Sequence, residues 1–170
     1  MDTGSDYAQL ISRKYQKALI TPFIGAWEFM NRPVNLPWQK DWDKINRMSI
    51  RYNWALNIDL RELLRKQEQA IVVTNAKQVI QFASTEFETM TGYLVSEAIG
   101  RKPNFLQGAK TDPFINQKIR ESIKALQPIS ETVLNYKKDG SIYFCKVEIH
   151  PIFNTTKNLV NFIAIEKQLR

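Results

Sequence analysis

The chain has 170 residues and a formal net charge of +7, with 44% hydrophobic and 24% charged residues. This length and composition are typical of one globular domain with an extension. A single cysteine, Cys145, and a single histidine, His150, exclude a disulfide framework and a zinc cluster built from those residues. We therefore expect no metal site.

The positive charge is spread along the whole chain. Residues 1–68 hold 11 basic and 8 acidic side chains, and residues 69–170 hold 13 and 9. Nucleic-acid binding normally needs a clustered basic surface, so we do not expect it here. The stretch 18–30 is broken by Pro22 and Gly25, and the start of the chain is polar, so neither a membrane span nor an export signal is predicted. These features favour a cytoplasmic protein.

Residues 1–68 form a helical, tryptophan-rich N-terminal extension in this interpretation. Helices are predicted from Asp6 to about Ile20, from about Asp41 to Arg51, and from Asp59 to Gln69, with an irregular connection from Asn31 to Pro37. We expect the large apolar side chains of the extension to be buried against the following domain or a second copy of the chain. A helix that binds a partner or a membrane surface is the alternative. These side chains include Phe23, Trp27, Phe29 and Trp54.

Residues 69–170 read as a separate α+β domain. Two strands, Ala70–Thr74 and Val79–Ala83, precede short helices that begin near Ser84. Asp112 and Pro113 begin a longer helix that ends before Pro128 and buries Ile115, Ile119, Ile123 and Leu126. Strands at about 130–138, 141–152 and 158–168 follow, and Asp139-Gly140 forms the first turn between them. We predict one five-stranded antiparallel sheet with the helices on one face.

This order of elements, with its motifs, resembles the PAS family of sensory domains over about residues 69–168. The motifs are Ile71-Val72-Val73-Thr74, Phe82-Ala83-Ser84, Phe87, Met90-Thr91-Gly92-Tyr93, Glu97 with Gly100, and Asn135-Tyr136-Lys137-Lys138-Asp139-Gly140. The segment from Gly100 to Gly108, Gly-Arg-Lys-Pro-Asn-Phe-Leu-Gln-Gly, is similar to the flavin signature of the light-oxygen-voltage (LOV) branch, Gly-Arg-Asn-Cys-Arg-Phe-Leu-Gln-Gly. The resemblance implies a PAS fold and a sensory role.

Three polar positions match the flavin contacts of the LOV branch. By this resemblance Gln107 and Asn135 correspond to residues that contact the flavin ring, and Arg120 to one of two arginines that hold its phosphate. From the residues alone, Arg120 could equally be a solvated helix residue, and Gln107 could cap the turn before Gly108. Both interpretations remain open at this stage.

Four positions depart from the LOV pattern. Pro103 replaces the thiol that adds to the photoexcited flavin, and proline has no nucleophile, so the adduct is not expected at this position. Asn104 replaces the second phosphate arginine, Cys145 replaces a flavin-binding asparagine, and Glu166 replaces the glutamine near the flavin N5 edge. Cys145 reads as an inert core thiol rather than a redox sensor. For Glu166 we expect access to water or a basic partner rather than burial alone.

These residues favour a sensory and interaction module that forms a homodimer through its N-terminal helices and signals to an unknown partner. No nucleophile–base pair or phosphate-binding glycine loop is present, so we predict no catalytic residues and no enzyme. No effector follows the last predicted strand, so output would pass through surface contacts unless the chain is a fragment. We expect no bound cofactor. The alternative is a small-molecule binder that holds flavin mononucleotide (FMN) without adduct chemistry.

Overall fold

The fold is described here for residues 36–169 of a computed structural model. The helix predicted from Asp6 to about Ile20 lies outside these residues, as do Phe23, Trp27 and Phe29. No helix within the described range is long and apolar enough to cross a membrane.

A single antiparallel sheet of five strands forms the centre of the structure, as predicted. Its spatial order is β2-β1-β5-β4-β3, so the first and last strands of the sequence pair at the middle of the sheet. Most strand ends lie within one or two residues of the prediction. The strands are β1 (Ala70–Asn75), β2 (Ile80–Ala83), β3 (Ile129–Tyr136), β4 (Ile142–Phe153) and β5 (Leu159–Gln168).

The turn between β3 and β4 is built from the predicted Asp139-Gly140 pair. Gly140 has a φ of +84°, a backbone conformation that glycine adopts readily and that residues with a side chain rarely adopt. The Asp139 carboxylate accepts hydrogen bonds from the backbone N–H and hydroxyl of Ser141, at 2.9 and 2.6 Å. The turn sets the register of the hairpin and pairs Asn135 with Tyr143.

Short helices cover the inner face of the sheet. They are α3 (Thr85–Thr91), α4 (Val95–Ala98), a 3₁₀ turn (Pro103–Leu106) and α5 (Pro113–Lys124). Helix α5 begins as predicted, with Pro113 in its first turn and the Asp112 carboxylate accepting the N–H of Phe114 at 2.8 Å. The inner core contains Val72, Ile80, Phe87, Met90, Leu106, Tyr143 and Cys145.

The short helices of residues 85–124 thus lie on one face, as predicted, and two helices of the N-terminal extension cover the opposite face. They are α1 (Pro37–Arg51) and α2 (Leu60–Lys66). Helix α1 begins four residues before the predicted start because Pro37 is its first residue, a position where the missing N–H costs nothing. The cap of α2 was predicted correctly, since Asp59 accepts the N–H of Glu62 at 2.9 Å.

The described part of the extension buries its tryptophans against the sheet. Trp38, Trp42 and Trp54 pack on an outer core of Ile45, Leu60, Leu64, Ile71, Val73, Phe82, Ile152 and Ile163. Residues 36–68 therefore belong to the same compact unit as the sheet. The boundary predicted at residue 68 rests on a change in sequence pattern and stays a prediction.

Asp41 joins α1 to the start of α3. Its side chain is buried, and its Oδ2 atom accepts hydrogen bonds from the backbone N–H and the hydroxyl of Thr85 at 2.6 and 2.8 Å. The carboxylate thus satisfies an N–H group at a helix start that has no partner within its own helix. This contact crosses from the outer layer of helices to the inner layer.

We expect Asp41→Ala to lower the free energy of unfolding by about 1–3 kcal/mol, because it leaves the half-buried Thr85 N–H and hydroxyl without their acceptor. Urea unfolding of the full chain measures the change. Asp43→Ala, two residues further on the exposed side of α1, is the matched control and should shift stability by less than about 0.5 kcal/mol. Equal losses in the two variants would contradict the role given to Asp41.

Candidate functional site

A cavity of about 430 Å³ lies between the inner face of the sheet, the 3₁₀ turn and α5. This volume is within the range of about 300–1,000 Å³ that small-molecule sites occupy. Its walls are largely apolar and come from all three of these elements. They include Val72, Leu106, Ile119, Ile123, Val133, Val147, Ile149, Phe162 and Ala164.

The apolar face of helix α5 is not fully buried, because it faces the open cavity. We predicted burial of Ile115, Ile119, Ile123 and Leu126, but each is only half-buried, and no residue of the helix is fully buried. Ile119 and Ile123 face the cavity, which leaves part of their surface uncovered. The spacing of apolar residues identified the correct face of the helix. It could not show that the space under that face is empty.

All six candidate binding residues line this one cavity. Asn104 and Gln107 come from the 3₁₀ turn and the residue after it, Arg120 from α5, Asn135 from β3, Cys145 from β4 and Glu166 from β5. Pro103 lines the cavity as well. The structure therefore brings together residues that are up to 62 positions apart in the sequence, from 104 to 166.

Gln107 is held by a reciprocal amide pair with Asn116 of α5. Gln107 Nε2 donates to Asn116 Oδ1 at 2.9 Å, and Asn116 Nδ2 donates to Gln107 Oε1 at 3.0 Å. The turn before α5 is closed by another group, the Thr111 hydroxyl, which accepts the Gly108 N–H at 3.0 Å. The interpretation of the Gln107 side chain as a turn cap is therefore wrong. Its amide fastens the loop to the helix above the cavity.

Glu166 is buried, and its Oε2 atom has no hydrogen-bond partner among the described residues. Burial raises the pKa of this carboxyl to about 7. No ion pair joins Glu166 to a basic side chain of residues 36–169, so the expected basic partner is not found there, while its contact with water through the cavity stays a prediction. Alternation along β5 explains the difference, since the adjacent Lys167 points to the other face and lies 3.7 Å from Glu68.

Tyr143 and Cys145 lie on the same buried face of β4, and of the two only Cys145 lines the cavity. Both side chains are buried, as the strand alternation predicted for this face, and the Tyr143 hydroxyl has no hydrogen-bond partner among residues 36–169. Burial raises the pKa of both groups, and the nearby Glu166 raises them further. The Cys145 thiol therefore stays protonated near neutral pH and is a poor nucleophile.

Three exposed cations form the rim of the cavity, and sequence reasoning identified only one of them. Lys102 precedes the 3₁₀ turn, while Arg120 and Lys124 lie one turn apart on α5. The Arg120 Nε atom donates to the Asn116 carbonyl at 3.2 Å. Lys102 and Lys124 were missed because neither forms part of a basic run, and only the fold brings them to one edge. We refer to Lys102, Arg120 and Lys124 as the cationic rim.

The architecture described above, a five-stranded antiparallel sheet and short helices that enclose a polar-lined cavity, is that of a PAS-type sensory domain. The family model described as "PAS domain" matches residues 68–167. The chain belongs to the PAS domain family.

Relatives of the chain include a phototropin and a blue-light-activated histidine kinase. The chain is 37% identical over 114 residues to phototropin-1A of Oryza sativa subsp. japonica, covering 65% of this chain and 12% of that protein. It is 38% identical over 85 residues to a blue-light-activated histidine kinase of Brucella canis, covering 50% of this chain and 17% of the kinase. The chain therefore spans only a small part of these relatives.

Solved structures give the same result. The light-state structure of the Aureochrome1 LOV domain, a blue-light photoreceptor, aligns with a TM-score of 0.59 and 31% identity, covering 64% of this chain and 88% of that one. A LOV-domain structure from work with a flavin analogue aligns with a TM-score of 0.62 and 31% identity, covering 68% and 88%. The chain is thus a sensory PAS module of the LOV type.

Proposed function

We propose that this module senses through a flavin-type ligand, FMN, held non-covalently in the cavity, and that it transmits the ligand's state without a cysteinyl adduct. The observation that carries the proposal is the convergence of the candidate polar residues on one open cavity of about 430 Å³. The sequence alone favours a module without a cofactor. A cavity filled by side chains would have supported that interpretation, whereas the open one supports the flavin alternative.

The lining of the cavity suits the three chemical parts of FMN. The apolar walls suit a flat ring system, the amides of Gln107 and Asn135 and the unpaired Glu166 carboxyl suit its polar edge, and the cationic rim suits its phosphate. When bound, a flavin supplies absorption of blue light and the capacity to accept electrons. The chain's residues would bind and orient it and take no catalytic part.

The absence of a thiol at Pro103 limits the light chemistry of the site. Cys145 is the only cysteine of the chain. Burial keeps the Cys145 thiol protonated, which makes it a poor nucleophile. A bound flavin should therefore respond to light without forming a bond to the protein.

We expect the full chain, mixed with FMN and freed of excess ligand, to keep a yellow colour and a flavin absorption band. After illumination, mass spectrometry of the denatured protein should show the mass of the chain alone. A protein that retains no FMN would contradict the proposed ligand and favour a module that acts by protein docking only. A light-dependent mass increase equal to that of FMN would contradict the absence of an adduct.

The cationic rim should make the cavity prefer FMN to riboflavin, which lacks the phosphate. We expect Arg120→Gln to weaken FMN binding about tenfold and to leave riboflavin binding nearly unchanged, because the guanidinium neutralises only the phosphate. Fluorescence titration of both ligands measures this difference. Lys118→Gln is the control, since Lys118 lies on the same helix outside the cavity lining and pairs with Glu131 at 3.4 Å. Equal losses for both ligands would contradict a phosphate contact at Arg120.

We also propose that the module is cytoplasmic and forms a homodimer through its N-terminal helices, with a signalling partner that is not yet identified. The large apolar side chains of residues 1–35, which include Phe23, Trp27 and Phe29, support the dimer, since Trp38, Trp42 and Trp54 already pack on the sheet of the same chain. Native mass spectrometry of the full chain reports copy number and bound ligand together. A dimer that persists with unchanged affinity after deletion of residues 1–35 would contradict an interface in those residues, and the deletion leaves α1 and α2 in place to cover the sheet.

A further inference from the structure

Glu166 is an unpaired acid in the wall of the cavity. Its neighbours across the sheet are Ala70 on β1 and Val147 on β4, and neither can share a proton or a charge with it. Its Oε2 atom is buried without a partner among the described residues, although other polar side chains of the cavity, such as Gln107, are hydrogen-bonded. Because Glu166 also lines the cavity, this unpaired oxygen is placed where it can bind an atom of a ligand held there.

The charges around Glu166 do not favour its ionised form. The titratable groups that face it are Tyr143 and Cys145 of β4, and both are neutral near pH 7 because burial raises their pKa values. From β1 the facing side chains are Ala70 and Val72, and from β3 they are Val133 and Asn135, none of which titrates. The cations of the rim are exposed, so water screens them.

A neutral carboxyl group offers one O–H donor, and a carboxylate offers only acceptors. The protonation state of Glu166 therefore decides which kind of ligand atom it can bind. A cationic ligand would be recognised by the carboxylate. An uncharged aromatic ring with a bare nitrogen or a carbonyl oxygen would be recognised by the acid. Lys102, Arg120 and Lys124 of the cationic rim also line the cavity, and a ligand bound beside them is favoured when it carries negative rather than positive charge.

We propose that Glu166 binds as a neutral acid and donates its proton in a hydrogen bond to an uncharged ring nitrogen or carbonyl oxygen of the ligand, so that ligand affinity is coupled to one proton. This inference rests on the proposed function, because FMN joins such an acceptor edge to an anionic tail. Glu166 then determines which edge of the ligand faces β5, namely the edge with the hydrogen-bond acceptor. The carboxyl of Glu166 also stays protonated in the complex at a pH above neutral, where the free protein has released that proton.

The coupling has a defined sign. In the free protein the carboxyl loses its proton above about pH 7. Above that pH, binding must take the proton up again, and affinity should fall about tenfold for each further pH unit. Below it the acid is already formed and affinity should be constant. An amide at position 166 donates an N–H at every pH, so Glu166→Gln should bind without this dependence.

The test is a fluorescence titration of the full chain with FMN between about pH 6 and about pH 9, using the wild type, Glu166→Gln and Glu148→Gln. Glu148 is the matched control because it carries the same group on the opposite face of the sheet, where it pairs with Lys146 at 2.9 Å. The second ionisation of the FMN phosphate lies near pH 6, and subtracting the Glu166→Gln profile removes it. Calorimetry at about pH 8 in buffers of different ionisation enthalpy counts the protons.

For the wild type and Glu148→Gln we expect the affinity for FMN to fall about tenfold for each pH unit above pH 7, and one proton to be taken up on binding. For Glu166→Gln we expect neither this fall in affinity nor the proton uptake. FMN binding that is independent of pH in the wild type would overturn this inference and leave the proposed function intact. Affinity that rises with pH would overturn it in favour of a carboxylate that binds a cation. No FMN binding by any variant at any pH would overturn the proposed function and this inference together.

Discussion

Glu166→Gln should raise the free energy of unfolding by about 3 kcal/mol at about pH 8 and leave it nearly unchanged at about pH 4. The cause is the buried position of the carboxyl in the ligand-free protein. At high pH the Glu166 carboxyl of the wild type must either stay protonated, although an exposed carboxyl would be ionised at that pH, or carry a buried negative charge that has no partner. The amide of glutamine has the same shape and carries neither cost.

The direction follows from the two pKa values of the group. An exposed Glu in the unfolded chain ionises near 4.5, whereas burial raises the pKa of Glu166 in the folded chain to about 7. Between these values the folded state binds more protons than the unfolded state, so stability falls as pH rises through the interval. Below 4.5 both states are protonated, and above 7 the loss is complete. A difference of 2.5 units corresponds to about 3 kcal/mol.

Urea unfolding of the ligand-free full chain at several pH values would measure the effect. The difference between Glu166→Gln and the wild type should grow between about pH 4.5 and pH 7 and then level off. Glu148→Gln is the control again, because its side chain is half-exposed and paired with Lys146. A Glu166→Gln variant that is no more stable than the wild type at high pH would mean that the carboxyl finds a partner in the folded chain.

The elements that follow from local chemistry could be predicted from the sequence. The Asp112-Pro113 start of α5 and the Asp139-Gly140 turn each depend on residues within a few positions of one another, and both were correct. Alternation along β4 correctly placed Tyr143 and Cys145 on the buried face. Such predictions succeed because a cap, a turn or a strand face needs no knowledge of distant residues.

The start of α1 shows where a local rule misleads. Pro37 was read as part of an irregular connection because prolines interrupt helices, but proline is also tolerated in the first turn, and Pro37 occupies that position. The residue alone does not distinguish these cases. What decides is whether an apolar face follows that can be buried, and α1 buries Ile45 against the sheet.

The character of the site depended on contacts that no spacing rule supplies. The resemblance to LOV domains identified residues that do line one cavity, but it could not show that the cavity is open or that Glu166 lacks a partner. Glu166 was expected to reach water because it lies near the chain end. The end of β5 is in fact paired on both sides, by β1 and β4, which buries it.

Asn161 connects the described part of the extension to the strands that form the cavity. It is fully buried on β5, and its Oδ1 atom accepts the indole N–H of Trp54 at 2.9 Å. Its Nδ2 atom donates to the Thr74 carbonyl at 2.9 Å and to Gln81 Oε1 at 3.0 Å. The next residue on β5, Phe162, pairs with Thr74 of β1, and both of these residues line the cavity. One amide thus joins the tryptophan-bearing segment to β1, β2 and β5.

We expect Asn161→Ala to lower the free energy of unfolding by about 2–4 kcal/mol, because it removes three hydrogen bonds and leaves the Thr74 carbonyl without this donor at a buried position. Urea unfolding of the full chain measures the loss. Asn158→Ala, on the exposed turn before β5, is the control and should cost less than about 0.5 kcal/mol. Trp54→Phe removes only the indole donor and should cost about 1–2 kcal/mol. If Asn161→Ala were no more costly than Asn158→Ala, the amide would not be what holds the outer segment to the sheet, and packing of the tryptophans would have to do so alone.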